Sequence, residues 1–202
     1  MFNFKDVDRS MLMKLVILHV AVIVVSNALV GIPVEIFGVK LTWAAFTFPL
    51  VVIATDLTVR LLGKQIARST IAVAYPFAII GSIAVVLLEG APTSVALRIG
   101  FASATAYAIG TMLDVYVFQH IREKWSNNWW LAPAVSTVAA NIIDTYAFFF
   151  TAFSGSANEY MAANWMEIAG SQTILKIFVG LIIFLPAYGV LLNQLQKKYQ
   201  LK

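Results

Sequence analysis

Cysteine is absent from the 202-residue chain, which excludes disulfides, thiolate zinc sites, iron–sulfur clusters and a cysteine nucleophile. Charge is scarce as well. Asp, Glu, Lys and Arg make up 12% of the residues, against ~25% in soluble domains. The two histidines, His19 and His120, are too few and too separated for a metal cluster. The longest polar stretches, residues 120–128 and 154–164, are no longer than about a dozen residues, whereas a domain with its own core needs ~50. No extramembrane catalytic or DNA-binding domain fits. The chain also lacks an H-E-x-x-H, a G-x-S-x-G, a Walker lysine loop and a dinucleotide glycine pattern. The contexts of two aspartates, ATDLT and IIDTY, carry no glycine-flanked protease motif. Neither a cofactor, a metal nor an enzymatic activity is expected.

What remains is apolar. The chain is 60% hydrophobic, with a mean hydropathy of +0.83, the composition of an integral membrane protein. Apolar runs place six spans in one all-α domain over residues 1–202, at about residues 11–32, 42–62, 69–88, 95–119, 129–153 and 168–195. The last is overlong and is expected to tilt, start with an interfacial turn or bend at Pro186. Residues 34–41 are too short to cross and read as an extended connection or hairpin. Lys5, Arg9 and Lys14 precede an apolar run with no A-x-A pattern after it, so the first helix is expected to stay uncleaved. Six helices also permit an inverted repeat of three plus three, for which the sequence offers thin support.

Net charge is +4 with a pI near 9.4, and topology explains it better than nucleic-acid binding does. Eleven of the 14 Lys and Arg residues fall on one side: Lys5, Arg9, Lys14, Arg60, Lys64, Arg68, Arg122, Lys124, Lys197, Lys198 and Lys202. Lys40 and Arg98 fall on the other, and Lys176 within a span. Both termini are therefore expected in the cytoplasm. Trp43 and Trp165 would then lie near the outer interface, and Trp125, Trp129 and Trp130 near the inner one.

Ionisable side chains inside a bilayer are costly and normally face protein or water. Four qualify: Asp56, Asp114, Asp144 and Lys176. Asp144 lies deep in the fifth span, with Asn141 one turn before it on the same face. A carboxylate and an amide so placed suit a planar ligand with adjacent N–H donors, such as a guanine-like edge, or else tie helices together. Lys176 either snorkels outward or pairs with Asp144, and Gln172 shares its face one turn earlier. Asp56 and Arg60, spaced i,i+4, make either an intrahelical ion pair or a ligand or gating site. Asp114 is expected near the inner end of its helix, within reach of water or Arg122. Glu167 opens the last span beside Trp165, where a helix dipole alone would favour an acid. Ser26 and Asn27 break the first span, and His19 reads as a hydrogen-bonded packing histidine ahead of a proton carrier. Phe46, Phe48 and Pro49 could offer ring surface for stacking.

The stretches SNALVGIP (residues 26–33), TWAAFTFPLVVIATDLTVRL (42–61), WWLAPAVSTVAANIIDTYAFFFTAF (129–153), WMEIA (165–169) and FLPAYGVLLN (184–193) closely resemble the queuosine precursor transporter family. The match runs through most of the chain and is weakest at the N-terminus, in the third helix and in residues 89–98. The resemblance implies a bacterial inner-membrane importer of 7-deazaguanines, the 7-cyano and 7-aminomethyl bases used to modify tRNA. It also implies similarity to vitamin-uptake subunits of the energy-coupling-factor type, acting without their ATPase. Matching positions are Asn27, Asp56, Arg60, Asn141, Asp144, Glu167 and Lys176; Phe48 and Gln172 join them as substrate-facing candidates by position. The expected partners are the small-molecule base and the lipid bilayer, with no nucleic acid, and a homo-oligomer is compatible with the sequence. A binding subunit for a separate ATPase is the alternative, and an intramembrane enzyme ranks last.

Overall fold

The computed structural model describes residues 9–30, 33–36, 39–47 and 49–199. Helix α1 spans Arg9–Val30. Two short strands, β1 (Pro33–Ile36) and β2 (Val39–Thr42), pair antiparallel with Glu35 opposite Lys40, so the expected hairpin forms. Next come α2 (Ala44–Thr47), α3 (Pro49–Leu62), α4 (Lys64–Leu88), α5 (Thr93–Lys124), α6 (Leu131–Phe153) and α7 (Glu159–Val179). A π-helical turn (Gly180–Phe184) then leads into α8 (Leu185–Tyr199). The ends of the chain at Lys5 and Lys202 lie outside the described residues.

Among the described residues, five stretches are long and apolar enough to cross a membrane: Arg9–Leu29, Lys64–Leu88, Thr93–Lys124, Leu131–Phe153 and Glu159–Lys198. Their outward surfaces are apolar, with Ile80 66% and Ile174 73% exposed, as lipid-facing side chains would be. The expected second span, residues 42–62, does not begin at Thr42, which belongs to the hairpin. Its described helical residues are Ala44–Thr47 and Pro49–Leu62, and the latter stretch, α3, carries Asp56.

The last span departs from expectation twice. It starts at Glu159, where Asn158 accepts a hydrogen bond from the Met161 N–H at 3.1 Å and caps the helix. It also widens into the π turn just ahead of Pro186. Proline cannot donate to Ile182, and its ring crowds that turn, so the ladder opens there.

Helix α5 is the axis of the bundle, packed against α4 on one side, α6 on the other, and α3. Small residues make the close crossings possible. A Cβ on Gly100 would lie 2.8 Å from the Ile83 backbone nitrogen of α4. Polar side chains tie the helices together. His19 Nδ1 bonds the Tyr107 hydroxyl at 2.9 Å, the packing role expected of that histidine. Asn27 of α1 donates to Ser82 of α4 at 2.6 Å and accepts from Ser103 of α5 at 2.9 Å. Arg98 of α5 donates to the Thr151, Ser154 and Gly155 carbonyls at the end of α6, placing a cation at a helix C-terminus. Gly63 joins α3 to α4 with a φ of +90°, a conformation favouring glycine, so the two helices follow one another with a single residue between them.

Candidate functional site

The polar residues of α6 form a stripe. Thr137, Asn141 and Asp144 recur at four- and three-residue spacing, so one helical face carries all three. Asp144, 4% exposed, is ion-paired with Lys176 of α7 at 3.1 Å, and the same ammonium donates to Thr145 Oγ1 at 3.2 Å. Behind Asp144 stands α5: a Cβ on Gly110 would come within 2.9 Å of the Asp144 Cβ. Glycine at 110 thus lets the carboxyl-bearing backbone approach α5 closely. Asn141, 1% exposed, donates its amide to the Thr137 carbonyl at 2.9 Å, while its side-chain oxygen has no donor among the described residues. A buried acceptor left open is costly, and here it lies one turn from a buried ion pair.

Two turns nearer the start of α6, Ser136 donates to Asp56 of α3 at 3.3 Å. Asp56 and Asp114 of α5, 1% and 0% exposed, have carboxyl groups within interacting distance of one another. Ser136 precedes Asp144 by eight residues, about 12 Å along the helix axis. A cavity at the Ser136 level is lined by Asp56, Val52, Thr137, Gly180, Phe184 and Tyr188, and holds about 10 Å³, room for one water.

Below Asp56 the bundle opens into a polar depression of about 540 Å³ lined by Arg60, Lys64, Gln119, Arg122, Glu123 and Asn127. Between cavity and depression, Arg60 Nη1 donates to the Trp129 carbonyl and Arg122 Nη1 to the Arg60 carbonyl, each at 3.3 Å. These bonds tie α3, α5 and the start of α6 together at that end.

The family model described as "Putative vitamin uptake transporter" matches residues 42–191. The "Queuosine precursor transporter" of Escherichia coli (strain K12) is 46% identical over 191 residues, covering 89% of this chain and 86% of that relative. The chain belongs to the queuosine precursor transporter family. The "Probable queuosine precursor transporter" of Haemophilus influenzae (strain ATCC 51907 / DSM 11121 / KW20 / Rd) is 36% identical, covering 91% of this chain and 87% of the relative. That of Bacillus subtilis (strain 168) is 28% identical, covering 82% and 78%. No solved structure matches. As a member of this family the chain is a multi-pass membrane transporter rather than an enzyme.

The candidates from the sequence separate into groups. Asn141, Asp144 and Lys176 come together, with Gln172 half-buried one turn before Lys176. Asp56 lines the adjoining cavity. Asn27 has both its amide groups engaged in helix packing, and Glu167 is exposed on α7. Phe48 lies outside the described residues. Of the two readings for Asp56 and Arg60, a direct ion pair is not made: Asp56 turns inward to Ser136 and Asp114, and Arg60 stays within electrostatic reach of it while donating to the Trp129 carbonyl. Asp114 does not reach Arg122 either. Depth along a helix is legible from a sequence, but the direction in which a side chain points depends on which neighbours pack there, and Asp114 points into the α3 contact. Tyr188, 1% exposed and on the cavity wall, was a further omission; its place in the FLPAYG stretch, one turn past the π segment, was the available signal.

Proposed function

We propose that this transporter imports 7-deazaguanine queuosine precursors across the bacterial inner membrane, with both termini cytoplasmic, and that Asp144 reads the base. The observation that carries this reading is the buried Asp144–Lys176 pair at 3.1 Å beside an Asn141 oxygen that lacks a donor. A guanine-like edge presents two adjacent N–H donors and one carbonyl acceptor. The carboxylate accepts the two donors, the ammonium donates to the carbonyl, and Asn141 supplies a further acceptor. Such a ligand slides into an ion pair without leaving either charge unpartnered, which is the condition for doing so at low cost within a membrane.

Transport then requires the site to open alternately to each side. The stretch that must move is α7 with its π turn, since Gly180 packs against Thr137, where a Cβ would come within 2.9 Å of the Thr137 methyl. π turns often mark functional positions in helices. The Arg60 and Arg122 bonds close the cytoplasmic end in this reading, and their release opens a path to the polar depression. Rocking of helices around a fixed central site is the general mechanism for such bundles.

Equilibrium binding to purified protein tests the assignment. The 7-cyano base should bind, and an analogue lacking the exocyclic amino group should bind at least about tenfold more weakly, because a buried carboxylate oxygen loses its donor. Equal affinity for the two would remove Asp144 from the role of reading that edge.

A further inference from the structure

Asp114 is fully buried, and neither of its carboxyl oxygens receives a hydrogen bond from any described residue. What it faces is a second acid, Asp56. Around this pair, α6 contributes the single donor Ser136 at 3.3 Å from Asp56. Helix α8 contributes Tyr188, whose hydroxyl is buried on the wall of the Asp56 cavity, meets hydrogen-bond geometry with no described group and lies within electrostatic reach of Arg60. Neither nearby cation is ion-paired with the acids: Arg60 of α3 lies within electrostatic reach of Asp56 and Tyr188 but donates to the Trp129 carbonyl, and Arg122 of α5 donates to the Arg60 carbonyl. Thr111, one turn before Asp114, donates to the Tyr107 carbonyl. Two adjoining buried carboxylates with Ser136 as their neighbouring donor and only the more distant Arg60 as countercharge are partly compensated in a low-dielectric interior, where neutralising one of them lowers the cost.

We infer that Asp56 and Asp114, together with Ser136 and Tyr188, form the coupling site of the transporter, holding one proton that crosses the membrane with each molecule of substrate. The inference rests on the importer reading and adds the energy source to it. The proton enters from the outer side, bridges the two carboxyls, and leaves to the cytoplasm when the inner end opens; no covalent bond changes. A proton fits better than a metal ion because the carboxyls adjoin each other directly and the neighbouring cavity takes one water. Communication with the substrate level is short. Thr137 lines this cavity while its carbonyl holds the Asn141 amide, so a base that draws Asn141 away releases the wall of the proton site.

The test uses purified full-length protein in liposomes with the membrane potential clamped. Counterflow of labelled against unlabelled 7-cyano-7-deazaguanine at equal pH measures substrate exchange alone. Uptake under an inward proton gradient, with external pH followed by a dye, measures coupling. The wild-type protein should accumulate the base up to about tenfold per pH unit, the limit for one proton per neutral molecule, and alkalinise the medium as it does so. Asp114→Asn, close in volume, should retain counterflow and lose both the gradient-driven accumulation and the alkalinisation. Retention of the full gradient response by Asp114→Asn would overturn the inference. So would wild-type uptake driven by an inward sodium gradient at fixed pH without proton movement. If Asp114→Asn fails to assemble, the wild-type alkalinisation decides: one proton per base supports the site, and none overturns it. Absence of wild-type counterflow would instead overturn the importer reading itself.

Discussion

Replacing Asp144 by Asn leaves the Lys176 ammonium without its anion in the α6–α7 contact, and replacing Lys176 by Met leaves the Asp144 carboxylate without its cation. Removing one partner of a fully buried ion pair costs ~3–5 kcal/mol. The two single variants should differ, however. The Lys176 side chain is 16% exposed and that of Asp144 only 6%, and a long lysine stem can carry its charge toward an interface, whereas the short Asp144 side chain is pinned against Gly110. Asp144→Asn should therefore fall at or below the lower end of the range, and Lys176→Met should be the worse of the two. For a chain of this size ~3 kcal/mol corresponds to roughly 6–12 °C in Tm by the soluble-domain scale. The double variant, neutral and similar in volume, should recover most of the loss, because replacing a buried pair by uncharged groups is often neutral or stabilising. Thermal unfolding of all four proteins in one detergent gives the coupling energy through the double-mutant cycle. Uptake supplies the functional half: stability should return in the double variant and transport should not. A double variant that both refolds and transports would refute the reasoning that these charges read the substrate, and single variants as stable as the wild type would refute the pairing itself.

Other outcomes follow from the same geometry. Gly110→Ala should displace Asp144 from α5, lowering stability by ~1–3 kcal/mol through overpacking and raising the KM for uptake, since the added Cβ would lie 2.9 Å from that of Asp144; an unchanged KM would show that the approach of α5 to α6 does not set the site. Arg98→Ala should lower Tm by the loss of its three carbonyl contacts at the end of α6, ~1–3 kcal/mol for a charged donor, with KM unaltered in the molecules that remain folded. Asn27→Ala should likewise reduce stability without changing KM, because its amide holds Ser82 and Ser103; a selective rise in KM would return Asn27 to the substrate site.

The helical spans were legible because hydropathy over ~20 residues is a strong signal, and the hairpin was legible because residues 34–41 are too short to cross. The start of the second span was less so, since residues 42–62 read as one mostly apolar run and only the strand pairing assigns Thr42 to the hairpin. Pro186 announced an irregularity, but its effect falls in the preceding turn, at Gly180–Phe184, because the proline ring and its missing donor act on residues earlier in the helix. Within the site, opposite charges in two spans made the Asp144–Lys176 pair readable. The i,i+4 spacing of Asp56 and Arg60 left a direct pair open, but α5 and α6 present Asp114 and Ser136 to the inner side of Asp56, and Arg60 donates to the Trp129 carbonyl while acting on Asp56 only from a distance. Asp114 was readable as an ionisable residue within a span, but its neighbour Asp56 was not, because that neighbour comes from another helix.

The most direct test of the central claim is accumulation of labelled 7-cyano-7-deazaguanine in cells that cannot synthesise queuosine precursors. Wild-type protein and Asp144→Asn would be compared at matched membrane levels, with the 7-aminomethyl base as competitor. Protein-dependent accumulation that the competitor suppresses and Asp144→Asn abolishes is the predicted result. Accumulation by Asp144→Asn equal to that of the wild type, or none by correctly inserted wild-type protein, would contradict the account.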